Sequence, residues 1–344
     1  MSALILKQIE RGSYSIQATD ATVTITLSTT LTDTTKAVLL FTAKVDSIQP
    51  ATFCWLGRIL STTQIQFERN VADKTGAIEW QVIEFTQGIT VQHFYFTQSA
   101  TTVDTAITAV TLAKAFVIRT TAGSGAGWTT KHFVKATLSS TTNLQTIVNT
   151  STGALVAAQV IEIDDASVQV ITDTMGTGAT KDVTVTSITE NKTFWFFSAT
   201  TVEVTGVDDA VYLSYVNSTT LRFTRVNAAG IDFPFVLFVV SLSSGVTVQN
   251  VSTVIAVSSK TISPTIPNAV VVANTAINVN GFDQRMSSVN DTGDEARKSA
   301  IALSGLTTTA FTASRTESST VSATTNVQVL EFSTSTTSFF WIMD

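Results

Sequence analysis

The chain carries few residues of the kinds that catalysis or metal binding requires. It has two histidines, His93 and His132, and one cysteine, Cys54. Zinc hydrolases of the His-Glu-x-x-His type place two histidines one helical turn apart, and these two lie far apart. A serine–histidine hydrolase of the α/β type carries a Gly-x-Ser-x-Gly elbow, and the sequence has none. Both histidines are expected as surface or strand residues. Cys54, in Phe53-Cys54-Trp55, has no second cysteine to pair with, and a small buried apolar role is expected for it. The acidic pairs Asp164-Asp165 and Asp208-Asp209, and the run Asp291-x-Gly293-Asp294-Glu295, could offer oxygens to calcium. The ion wants six to eight ligands, and the spacing of an EF-hand loop is absent, so solvated turns are expected. No catalytic residue, metal ligand or cofactor site is assigned.

Two further features could make contacts. Gly123-Ser124-Gly125-Ala126-Gly127 runs into Trp128 and lacks the Gly-Lys-Ser/Thr end of a phosphate-binding loop. Gly123, Gly125, Gly127 and Trp128 are therefore read as a candidate contact loop. Trp55, Trp80, Trp128, Trp195 and Trp341 could serve as sugar platforms, but Trp80 and Trp195 sit in strand patterns where core packing is expected.

The elements that would position these residues come from a repeat. Gln81-Val82-Ile83-Glu84-Phe85 recurs as Gln159-Val160-Ile161-Glu162-Ile163 and as Gln328-Val329-Leu330-Glu331-Phe332, with a degenerate copy at Phe238-Val239-Val240-Ser241-Leu242. Gly88-Ile89-Thr90-Val91-Gln92 recurs as Gly245-Val246-Thr247-Val248-Gln249, with a weaker copy at Ser167-Val168-Gln169. Phe67-Glu68-Arg69 recurs as Phe223-Thr224-Arg225, and Lys36, Lys114 and Lys192 keep the same phase. Alternating stretches such as Val23-Thr24-Ile25-Thr26-Leu27 have the period of two expected of a half-buried strand. Ser-Thr-Thr runs between them supply turn hydroxyls. The apolar run Phe233–Leu242, which contains Pro234, reads as a buried strand.

Of the 344 residues only 13% are charged and 44% are hydrophobic, so Thr, Ser, Asn and Gln must form much of the surface. Threonine is β-branched and suits a pleated sheet. The expected fold is all-β, with about four tandem β-sandwich-like modules of roughly 80 residues. The repeat divides the chain into 1–98, 99–176, 177–252 and 253–344. Linkers are expected at Gly176-Thr177-Gly178 and at Ser263-Pro264-Thr265-Ile266-Pro267, giving either a semi-rigid rod or a folded-back cluster. Glu84, Glu162 and Glu331 fall in separate modules and are expected as edge or rim charges that discourage strand-to-strand association.

The net charge of −6 and the lack of a Lys/Arg cluster leave no electrostatic footprint for a nucleic-acid partner. No apolar run is long enough for a membrane helix, and the N-terminal one is too short for a signal-peptide core. Synthesis in the host cytoplasm is expected.

The stretch Ile78-Glu79-Trp80-Gln81-Val82-Ile83-Glu84-Phe85-x-x-Gly88-Ile89-Thr90-Val91-Gln92, preceded by Phe67-Glu68-Arg69, resembles repeats in virion structural proteins of tailed bacteriophages. The first module carries the resemblance most fully. The third keeps the glycine strand and Phe223-Thr224-Arg225 but has neither the Trp nor the Glu. The resemblance implies a non-enzymatic particle component, an accessory, decoration or tail-associated protein of the virion. Its partners would be other capsid or tail proteins and further copies of itself, with neither nucleic acid nor membrane involved. A receptor-binding protein or adhesin recognising host surface glycans is the alternative, with Gly123–Trp128 as its contact loop.

Overall fold

The computed structural model describes residues 2–47, 49–123, 132–150, 153–200, 211–225, 232, 234–279, 301–318 and 322–334. Within them the strands fall into four sets of six. The first set is β1 (Ile5–Ile16), β2 (Thr22–Thr26), β3 (Ala37–Val45), β4 (Leu56–Ser61), β5 (Gln64–Glu68) and β6 (Gly76–Gln87). The second is β7 (Ile89–Thr97), β8 (Thr102–Ala106), β9 (Ala115–Ala122), β10 (Lys135–Ser140), β11 (Asn143–Ile147) and β12 (Leu155–Ile163). The third is β13 (Ala166–Thr174), β14 (Thr180–Thr184), β15 (Thr193–Ala199), β16 (Val211–Asn217), β17 (Thr220–Arg225) and β18 (Pro234–Leu242). The fourth is β19 (Val246–Ile255), β20 (Thr261–Ile262), β21 (Thr275–Val279), β22 (Ala302–Ser304), β23 (Thr312–Ser314) and β24 (Ala323–Phe332).

Each set builds the same pair of three-stranded antiparallel sheets. The inner sheet has the order first–sixth–third, as in β1-β6-β3, and the outer sheet the order second–fifth–fourth, as in β2-β5-β4. The all-β, tandem-module architecture expected from the sequence is therefore the architecture present. Alternation explains the outer sheets. Ile65 and Phe67 on β5 point into the module core, while Gln64, Gln66 and Glu68 between them are only partly buried. The sixth strands read differently because they are covered on both faces. Val82–Phe85 and Phe235–Val240 are buried without interruption, as a strand in the middle of a sheet between two cores must be.

One face of each inner sheet packs on its own outer sheet, through cores such as Trp55, Phe67, Ile78 and Trp80 in the first module, and Trp195, Leu213, Phe223 and Phe235 in the third. The opposite faces of all four inner sheets share a single core that runs from Leu4 and Ile83 through Phe116 and Ile161 to Phe194, Phe238 and Leu330. The modules therefore form a folded-back cluster, and a rod is ruled out. Shared interfaces of this kind suit modules too small to bury much surface alone.

Strand pairing places the module divisions upstream of those expected. The glycine strand Ile89–Thr97 pairs with β12, so it opens the second module and does not close the first. The divisions lie at Gly88, Asp164-Asp165 and Ser243–Gly245, each a turn of three residues or fewer. Gly88 has φ +82°, and a Cβ there would lie 2.5 Å from the Ala3 carbonyl oxygen. Gly245 has φ +79° and meets the Leu4 carbonyl in the same way. This accounts for the recurrence of glycine at both junctions. Gly176-Thr177-Gly178 links β13 to β14, and Ser263–Pro267 follows β20, so both segments are loops inside modules and not linkers between them.

Candidate functional site at the seams between modules

The polar residues that recur in the sequence converge on the backbone of neighbouring strands, and they do so at equivalent positions. The repeated glutamine heads the clearest set. Gln159 on β12 crosses to the first module, where Leu39 N–H donates to its Oε1 (2.9 Å) and its Nε2 donates to the Leu39 carbonyl (2.8 Å). Gln81 on β6 crosses in the same manner to the fourth module, accepting from Ile277 N–H (3.0 Å) and donating to the Ile277 carbonyl (2.8 Å). Gln328 on β24 accepts from Trp195 N–H of the third module (3.1 Å), and its Nε2 donates to Asn250 (3.1 Å). All three are buried, and in Gln81 and Gln159 the primary amide reproduces the donor–acceptor pair of a missing strand neighbour. The second module joins the first, the first joins the fourth, and the fourth joins the third. The remaining seam, third to second, has Phe238 at the glutamine position, and the rings of Phe116 and Phe196 stack across it at 5.6 Å. Three glutamine seams and one aromatic seam close the modules into a ring.

A second set of contacts runs parallel to the first. The hydroxyl of Thr42 accepts from Leu303 N–H of the fourth module, and that of Thr120 from Gly57 N–H of the first. Ser198 bonds both N–H and carbonyl of Ala136 in the second module, and Asn326 donates to the Leu213 carbonyl of the third. A third set comes from the first strand of each module. Arg11 donates to the Thr275 carbonyl, His93 Nε2 bonds the Thr34 carbonyl (2.9 Å), and Asn250 donates to Glu190 (3.2 Å). Burial lowers the Arg11 pKa to about 10. Burial also pulls the His93 pKa below its ordinary value, against the opposing effect of the Thr34 and Ala37 backbone. Val170 fills this place at the seam of the second and third modules and is 46% exposed.

The other recurrent residues hold loops within modules. Glu84 accepts from Thr32 and Asp33 N–H, Glu162 from Thr111 N–H, and Glu331 from Val271 N–H, so each caps the turn that leads into the third strand. Their strands are central in the inner sheets, which overturns the expectation of edge charges. Gln92, Gln169 and Gln249 make two hydrogen bonds each to the backbone of Thr108, Thr186 and Asn268. Lys36 and Lys192 donate to the carbonyls of Thr86 and Val246 next to the module junctions, and Lys114 donates to that of Asp164. Arg69, 1% exposed, donates to the carbonyls of Asp20, Gln17, Thr52 and Lys74 and lies 4.8 Å above the Trp55 ring. Arg225 and Arg315 serve the corresponding loops of the third and fourth modules. In the second module Val148 takes the arginine position, and Gln98 bonds the Ala100 and Thr146 carbonyls.

The candidate contact loop is described only at Gly123, whose Cβ position is filled by the buried His132 ring; Gly125, Gly127 and Trp128 lie outside the described residues. His132 is thus a core residue, and His93 a strand residue at a seam. Cys54, Trp55, Trp80 and Trp195 are buried. Asp165 is engaged by Ser243 and Ser244: burial alone would raise its pKa, but these hydrogen bonds hold it below the usual value. Asp208-Asp209, the acidic run at 291–295 and Trp341 lie outside the described residues. Among the described residues no group of three or more His, Cys, Asp or Glu side chains could hold a metal ion, and no helix is long and apolar enough to cross a membrane.

The fold and its seams define a four-module, all-β ring protein. No protein-family model matches the chain, and no curated protein matches it.

Proposed function

We propose that this chain is a non-enzymatic structural component of a bacteriophage virion, an accessory, decoration or tail-associated protein that presents its module surfaces to other virion proteins. The observation that carries this reading is where the recurrent polar side chains go. Gln81, Gln159 and Gln328, Glu84, Glu162 and Glu331, and Arg69 all bind backbone of their own chain. A repeat whose polar residues brace its own strands supports a scaffold, whereas enzymes aim their polar groups into a cleft. The likeness of Trp80-Gln81-Val82-Ile83-Glu84-Phe85 and its flanks to phage virion repeats supplies the setting. Self-association follows the symmetry of the particle in this reading.

The test is immunogold electron microscopy on gradient-purified particles from the source. Label at a constant place on head or tail supports the proposal and identifies the sub-role. Label confined to cell envelopes, with none on particles, overturns it in favour of a surface adhesin.

A further inference from the structure

At the centre of the ring the four inner sheets leave a cavity of about 40 Å³. All four modules contribute to its wall, with Ile83 from the first, Ile161 from the second, Phe194 from the third and Leu330 from the fourth. Leu4 also lines it. The exposed lining is entirely apolar. A cavity needs roughly 10–15 Å³ to admit a water, so there is room. The cavity is partly open, and a water held there would need about two to four polar partners, which this wall does not offer. Lining atoms that face the unfilled space lack dispersion contacts on that side, and a compact apolar guest restores them while displacing only water that has no hydrogen-bond partner in the wall.

We propose that this axial cavity is a binding site for a compact apolar ligand. Its chemistry recognises size and shape alone, because no lining group donates or accepts a hydrogen bond. A cavity of about 150 Å³ takes benzene. The axial cavity is several-fold smaller, so it selects guests of the size of xenon or cyclopropane and rejects an aromatic ring. Access lies at the seam of the second and third modules. The lining residues are buried except Ile118 and Phe196, which are half-buried and stand on β9 and β15 beside that seam.

The experiment is methyl NMR on the full chain, with xenon pressure raised stepwise. Saturable shifts at the methyls of Leu4, Ile83, Ile161 and Leu330, with those of Ile65 and Leu221 in the outer cores unmoved, support the site. Benzene at matched activity leaves the same methyls in place. A uniform, linear drift of all methyls with pressure overturns the proposal, as does saturation by benzene. A second arm uses Ile161→Phe, which fills the void. Loss of the xenon response in a variant whose Ile65 and Leu221 signals are native supports the assignment, and an unchanged response refutes it. If that variant does not fold, the wild-type xenon and benzene titrations decide alone.

Discussion

Replacing Gln81 by leucine tests whether the ring is closed by its side-chain clasps. The change keeps the approximate volume and removes both hydrogen bonds to Ile277. Gln81 is 8% exposed, so water reaches the abandoned groups poorly. Leaving a buried donor or acceptor unpaired costs about 1–3 kcal/mol, and Ile277 would lose a partner for one of each. The apolar replacement recovers part of this, because the amide no longer has to be desolvated. A net loss of about 2–4 kcal/mol is expected, concentrated at the seam of the first and fourth modules. Since about 1.4 kcal/mol is a factor of ten, the Ile277 amide should exchange with deuterium roughly 30- to 1,000-fold faster. Leu39, clasped by Gln159 at a separate seam, should keep its wild-type rate, because distant sites act independently. Site-resolved hydrogen exchange reads both amides in one sample. Equal protection of Ile277 in variant and wild type, or equal acceleration of Ile277 and Leu39, would refute the closed-ring reasoning.

Two further outcomes follow from particular side chains. His93 has its pKa lowered by burial, so the folded protein binds that proton less readily than the unfolded chain. Its contribution is intact above the unfolded pKa near 6.5 and declines as pH falls towards the folded value. Denaturant midpoints measured from pH 7 to pH 5 should fall, and His93→Gln should flatten that dependence; an unchanged slope counts against the assignment. Arg69→Met leaves four carbonyl acceptors without their guanidinium, at about 1.5–3 kcal/mol for a bond to a charged group, so a loss of at least about 3 kcal/mol is expected by urea denaturation.

Much of the fold was legible because strand patterning is local. Ile65-Gln66-Phe67 alternates because one face of β5 is buried, and the run before Leu242 is continuous because both faces of β18 are. The repeat was legible for the same reason, since equivalent positions face equivalent surroundings. What those positions do was not. Gln81 and Gln159 stand in the same motif as Glu84 and Glu162, yet the glutamines reach into other modules and the glutamates cap turns within their own. Sequence spacing does not contain the partner, which for Gln81 lies 196 residues away. The divisions shifted because an antiparallel strand reached by a short turn reads as the hairpin partner of the strand before it. Gly88, by its positive φ, carries the chain into a different sheet.

The strand order of the inner sheets sets the sequence of events in folding. In each module the sixth strand is the middle one, so β1 and β3 are synthesised with a vacant lane between them, and Ile5 waits for Gln87. Loops of that length must close before their contacts repay the lost chain freedom, which slows the search. During synthesis each module therefore exists as two flanking edges awaiting an insert. Four related inserts, ending in β6, β12, β18 and β24, arrive in turn. The nearest vacant lane is always the correct one when the chain emerges from its N-terminus. A refolding chain released all at once has no such schedule, and strand exchange between lanes, or between copies, is the error it is built to make.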